Sequence, residues 1–170
     1  MTIRPAQSAD WDQMWKIFHA VVATGTTYMF APETSAADAR DYWLGPGIAS
    51  WVADEDGRIV GMYKLIPNRR DLGSHVANAS FMVDPEYQGR HIGEKLGRHC
   101  LQEAAKAGFL SMQFNFVVAT NTAAVALWRK LGFEIVGTVP KAFRHRERGL
   151  VDAYVMYRSL EDLALEVRSQ

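Results

Sequence analysis

Apolar residues recur along this chain at two spacings, every three to four residues in some segments and every second residue in others. Thr2–Pro5 reads as a short strand. Ser8 and Asp10 then offer helix-start side chains before Trp11, Met14, Trp15, Phe18 and Val22, which share one helical stripe that Gly25 ends. Residues 26–32 form a loop carrying Tyr28 and Phe30. A second short helix, capped by Thr34 or Ser35, runs to about Leu44, and Gly45-Pro46-Gly47 punctuates the chain. Residues 50–53 and 59–66 are rich in Val, Ile and aromatics, and Asp56-Gly57 between them is a hairpin signal.

Val76–Val83 predicts a further strand. Ile92, Leu96, Cys100 and Ala104 then fall four apart on a helix that Gly108 ends. Residues 109–118 predict a strand, 121–131 a helix ended by Gly132, and 133–139 and 151–157 two more strands. The alternation predicts one α/β domain with a mixed sheet over residues 1–160, and a helical tail over 161–170.

At 170 residues, 48% apolar and 22% charged, the chain suits a single globular domain. Nineteen Lys plus Arg balance nineteen Asp plus Glu, so no net field favours nucleic acid or an anionic membrane, and neither is an expected partner. Cys100 has no second cysteine to pair with. With no apolar leader and no apolar run near twenty residues, a cytoplasmic protein is expected.

Two segments carry chemistry. In Phe81-Met-Val-Asp-Pro-Glu-Tyr-Gln-Gly-Arg-His-Ile-Gly-Glu-Lys-Leu96, a strand end turns through a Gly-containing basic loop straight into a helix. Backbone N–H groups at a helix start lack internal partners and carry the positive end of the dipole. Gly89 and Gly93 allow a phosphate close to the backbone, and Arg90 adds a charged donor. Alone, the same glycines also read as a plain strand-to-helix turn. The second segment is Asn121-Thr-Ala-Ala-Val-Ala-Leu-Trp-Arg-Lys-Leu-Gly-Phe133, which by itself is an N-capped amphipathic helix ended by Gly.

Together, and in this order, the two segments resemble motifs A and B of the GNAT superfamily of acyl-CoA N-acyltransferases. Gln88, Ile92 and Gly93 match Q/R-x-x-G-x-G/A, with His91 in place of the middle glycine. That change matters little if the position has negative φ, and strains the loop if it has positive φ. The resemblance implies a mixed, mostly antiparallel sheet with flanking helices, splayed at an acetyl-CoA co-substrate. It assigns cofactor contacts to Met82, Val83, Gln88, Gly89, Arg90, His91, Ile92, Gly93, Glu94 and Asn121. The pantetheine arm would add to the opened strand edges as an extra strand does.

Many members of this superfamily place a Glu before motif A as base and a Tyr in motif B as acid. Here those places hold Asn78-Ala-Ser80-Phe81 and Trp128. An indole releases no proton at neutral pH. Asn78, Asn115 and Asn121 are present instead, and each equally suits bonding to nearby backbone. Residues 74–83 and 113–121 resemble the fungal acetyltransferases that detoxify azetidine-2-carboxylate, a proline analogue. That resemblance implies Asn115 and Asn78 as catalytic and substrate contacts. Tyr28 and Phe30, on the aromatic-bearing loop, are further candidate substrate contacts. It implies catalysis by proximity and carbonyl polarisation. The acceptor would be a small amino-acid-like or imino-acid amine. A primary amine such as phosphinothricin, methionine sulfone or a protein N-terminus is the alternative, as is a non-catalytic acyl-CoA-binding module.

Lys141, Arg144, His145, Arg146 and Arg148 form a basic run that reads as a solvated loop, with a homodimer surface or an anionic-substrate guard as candidate roles. His19, His75, His91, His99 and His145 show no metal-ligand spacing, so no metal is expected.

Overall fold

The computed structural model describes residues 1–163, so all of the expected tail but its first turn lies outside the described residues. Strands β1 (Thr2–Pro5), β2 (Ala49–Glu55), β3 (Arg58–Pro67), β4 (Val76–Val83), β5 (Ser111–Val118), β6 (Glu134–His145) and β7 (Gly149–Ser159) join in one sheet. Helices α1 (Trp11–Val22), α2 (Ala36–Leu44), α3 (Ile92–Lys106) and α4 (Thr122–Lys130) flank it. The sheet order is β1-β2-β3-β4-β5-β7-β6. Every neighbouring pair is antiparallel except β4 and β5.

Period-two alternation on the central strands gives each face its own core. Ala77 and Ala79 of β4 face Leu96, Cys100 and Leu101 of α3. Met82, one step out of phase, faces Met14, Ile17 and Phe18 of α1 and Trp43 of α2. Both faces of β3 are covered, which is why Ile59 through Leu65 read as an almost unbroken apolar run. The start of α1 is fixed by charge. The Arg4 guanidinium grips both oxygens of Asp10 at 2.8 Å, and its Nε and Nη2 reach Asp54 on β2 at 3.0 and 2.9 Å. Asp10 also accepts the Gln7 N–H at 2.7 Å.

The basic run is not a loop. Lys141, Arg144 and His145 lie on β6, and only Arg146, Glu147 and Arg148 make the turn into β7. Pairing passes from Val139↔Ala153 to Phe143↔Val151, so residues 140–142 bulge against Asp152. Lys141 takes a φ of 54° there and donates its N–H to the Asp152 carboxylate at 2.9 Å. The buried His145 Nδ1 accepts the Glu147 and Arg148 amides at 3.1 and 3.3 Å. Arg146 donates its backbone N–H to Gly25 C=O at 3.0 Å and its guanidinium to Ala23 C=O at 3.2 Å. The hairpin tip thereby anchors the loop that follows α1.

Hydrogen bonding to Arg4 holds the Asp10 carboxyl below its usual range. A folded-state pKa below the unfolded value stabilises the fold above about pH 4 and loses that contribution as pH falls through the folded value. Asp10→Asn is therefore expected to cost about 1–3 kcal/mol at pH 7. The gap to the parent protein should narrow from about pH 4 downward. Urea unfolding at pH 7 and pH 3 measures it, and a pH-independent gap contradicts the charge-based account.

Candidate active site

The two parallel strands share only two rungs, Val76↔Ser111 and Ala77↔Met112. Beyond them β4 and β5 diverge, and a pocket of about 200 Å³ opens between them. Its walls are Asn78 to Phe81 of β4, Phe114 to Val118 of β5, Asn121, Ala124 and Trp128 at α4, residues 27–29 of the α1–α2 loop, and Tyr42 of α2. The splay expected from the resemblance is present.

Diverging strands leave backbone groups without partners. An extended strand directs the N–H and C=O of successive residues to opposite edges. The Asp84 N–H bonds Val60 on β3 at 3.0 Å, so the even-numbered residues around it, Met82 included, turn toward β3. Phe81 and Val83 turn toward the opening. The pair on Phe81 is taken by one side chain: the Tyr28 hydroxyl accepts the Phe81 N–H at 2.9 Å and donates to the Phe81 C=O at 2.6 Å. For strand-like pairing with an inserted arm, the edge groups that face the opening are thus those of Val83 and those of Phe81, the latter held by Tyr28. Met82, expected as a backbone contact, pairs with Met62 of β3 and buries its side chain in the α1 core.

Asn78 and Asn115 both line the pocket, one on each diverging strand. Pairing passes from Phe114↔Met156 to Val117↔Tyr154, so Asn115 and Phe116 together oppose Val155. Such a bulge re-aims a side chain. The Asn115 amide is clamped, accepting from Gln113 Nε2 at 2.8 Å and donating to Asn68 Oδ1 at 2.6 Å. Its second N–H is left for the pocket. Across the opening, the hydroxyls of Tyr42 and Ser80 lie 2.6 Å apart. Burial pushes the Tyr28 and Tyr42 phenols up, so both remain protonated donors at neutral pH. Among the described residues no carboxylate or imidazole lines the pocket. Trp128 packs against Phe81 and Phe114, each with ring centroids 4.8 Å away, and fills the floor.

The loop before α3 lies at the mouth. Lys95 N–H closes the first turn onto His91 C=O at 3.1 Å, so the amides of Ile92, Gly93 and Glu94 have no intrahelical acceptor. Gly89 has a φ of 77° with open space where a Cβ would sit, whereas a Cβ on Gly93 would meet Leu127 at 3.3 Å. These are features of an anion cradle. His91 caps α3 in the left-handed region at φ 59°, the strained alternative. Glu94 contributes its backbone only, because its carboxylate bonds Lys130 at 2.6 Å and Arg98 at 2.8 Å, which hold it down to about 2. Gln88 ends the short turn after β4. Arg90 rests on Glu55 at 3.2 Å. Asn121 caps α4, accepting the Ala124 N–H at 3.2 Å, and lines the pocket.

Phe30 is not brought to the pocket. It packs edge-on against Phe18 and Tyr42, at 5.2 and 4.8 Å between centroids. Tyr42, Ser80, Asn68, Gln113 and the Phe81 peptide were not singled out from sequence. For Ser80 a signal existed, since it shares the Asn78 face of β4 two residues on.

Tyr28→Phe removes the only hydroxyl on the Phe81 peptide, and chemical denaturation of the unliganded protein should show a loss of about 1–3 kcal/mol. An unchanged midpoint would mean that the bonds add nothing net. His91→Gly relieves the left-handed strain and should raise stability by up to about 1 kcal/mol in thermal unfolding. A destabilised variant would show that the imidazole, 3.7 Å from Glu94, contributes more than the strain costs.

The sequence profile of the acetyltransferase (GNAT) family matches residues 12–133. The N-acetyltransferase aca1 of Schizosaccharomyces pombe is 35% identical over 69% of this chain, which spans 58% of that relative's length. The L-amino acid N-acetyltransferase AaaT of Escherichia coli is 33% identical over 66% of this chain and 69% of its own. The solved structure of a GCN5-related N-acetyltransferase from Kribbella flavida is 42% identical, covering 93% of this chain and 96% of its own with a TM-score of 0.88. With the splayed parallel pair, the amide-rich helix start and the N-capped α4 in place, this chain belongs to the GNAT acetyltransferase family.

Proposed function

We propose that the pocket between β4 and β5 takes the amine of a small amino-acid-like or imino-acid substrate, of the proline-analogue type, and presents it to the acetyl thioester. The observation that carries this reading is a pocket whose polar lining consists of amides and hydroxyls, with Asn78 and Asn115 on opposite strands. Relatives with amino-acid acceptors, AaaT among them, support the substrate class.

Acetyl-CoA supplies the activated acyl group. The amides of Ile92, Gly93 and Glu94 fit its pyrophosphate, and the edges of Phe81 and Val83 fit its amide-bearing arm. For the arm to pair at Phe81, Tyr28 must release at least one of its two bonds there. Asn115, held by Asn68 and Gln113, keeps one N–H aimed at developing negative charge on the carbonyl oxygen. Asn78 orients the amine. Attack of the neutral amine forms the amide and breaks the C–S bond, and the proton shed by the nitrogen balances the one the departing thiolate takes up. Rate comes from positioning and polarisation, with no carboxylate base.

The decisive assay is thiol release from acetyl-CoA over L-azetidine-2-carboxylate, proteinogenic amino acids and peptides. Turnover of the small amines alone supports the proposal. Preference for peptides moves the acceptor to a protein N-terminus, and cofactor binding without any turnover makes the chain a binding module. Asn115→Ala should lower kcat by about 10²-fold while acetyl-CoA affinity changes little. Asn115→Asp should be equally impaired, because a carboxylate repels the developing oxyanion. Retained activity in the Asp variant, rising with pH, would assign this position to a base instead.

A further inference from the structure

Lys64 sits on β3 directly across from Ser80 on β4, so the two side chains share the face beneath α1 and α2. It is 4% exposed. Its ammonium donates to the Tyr42 C=O at 3.0 Å and lies 3.1 Å from the centroid of the Tyr42 ring. Among the described residues no carboxylate comes within 4.0 Å of it. A buried cation with only a carbonyl and a ring face for company is poorly compensated. Desolvation pushes it down to about 8, which leaves the charged form predominant at neutral pH.

What lies next to Lys64 gives that charge a use. Tyr42 and Ser80, the ring it lies against and the residue it faces, both line the pocket. Among the described residues, none lining the pocket is charged. Lys64 stands directly behind its wall, against Tyr42 and paired with Ser80. The bonded hydroxyl pair keeps one O–H proton free for an anion that Lys64 attracts.

We propose that Lys64 is the specificity-determining counter-charge for a carboxylate on the acceptor, so that the pocket selects amines bearing an acid group through Lys64, Tyr42 and Ser80. This rests on the acceptor reading of the pocket given above. At a separation of about 6 Å and an effective dielectric of about 20, the attraction corresponds to a preference of about 10²-fold for the acid over its neutral amide.

The test compares azetidine-2-carboxylate with azetidine-2-carboxamide, equal in shape and unequal in charge, using the full chain and its Lys64→Met and Lys64→Arg variants. Comparing the acid-to-amide ratio between proteins cancels the difference in amine basicity. The ratio of kcat/KM should fall by about 10²-fold in Lys64→Met. The change should lie in KM for the acid, with kcat and the KM for acetyl-CoA retained, and Lys64→Arg should restore much of it. Met is apolar and of similar length, so folding should survive and the melting temperature hold or rise. An unchanged ratio, or equal losses for acid and amide, overturns the proposal. If the parent turns over neither amine, the acceptor reading fails on its own. Calorimetric titration with azetidine-2-carboxylate then still decides: binding lost in Lys64→Met upholds the counter-charge role, and equal or absent binding in both overturns it.

Discussion

Two parallel rungs at Val76 and Ala77 hold β4 to β5, and the divergence that follows them opens the pocket. A sheet normally satisfies its backbone polar groups between neighbours. Where two central strands part inside a sheet, those groups face each other across a gap that is neither core nor bulk solvent. The gap must be walled, and the chain supplies walls from remote segments: Tyr28 and Tyr42 from the α1–α2 side, Trp128 from α4. The amides at the start of α3 follow β4 directly, so the anion cradle and the gap are positioned by one short stretch of chain.

The chemistry available in that gap is set by what is absent from its lining as much as by what is there. Without a carboxylate or imidazole, proton abstraction by a dedicated base has no agent among the lining residues. Amides and hydroxyls remain, and they orient and polarise. The bulge at Asn115 and the clamp from Asn68 and Gln113 show how a side chain with no charge is held in one orientation. Preorganisation of this kind avoids rearrangement of dipoles during the reaction.

Alternation and helical spacing made nearly all the elements legible, because both faces of a buried sheet and one face of each helix impose strict periods. The turn from Gln88 to Glu94 was legible because a glycine before a helix-start pattern marks a strand-to-helix turn, and Gly89 takes a φ of 77° just ahead of α3. The length of β6 was not. Pro140 and the basic residues after it look like a loop, and only the bulge against Asp152 keeps Phe143 and His145 in phase with the core. Met82 and Phe81 differ only in which way their peptides face, a distinction the alternation rule contains once the partner of one neighbouring residue is known. The bond from Tyr28 to Phe81 and the pairing of Tyr42 with Ser80 join residues far apart in the chain, and no local pattern announces them.

The position of the Tyr28 hydroxyl also bears on how such a protein stays monodisperse before it meets its co-substrate. An open pair of strands is an edge, and an edge recruits any extended chain that can hydrogen bond to it. The same property that suits β4 to an amide-bearing arm suits it to a stray peptide or an unfolded neighbour. A single phenol that satisfies both groups of one peptide fills the most exposed stretch of that edge without adding a strand. By satisfying both groups at once, Tyr28 leaves this stretch of the edge hydrogen-bonded although no strand lies beside it.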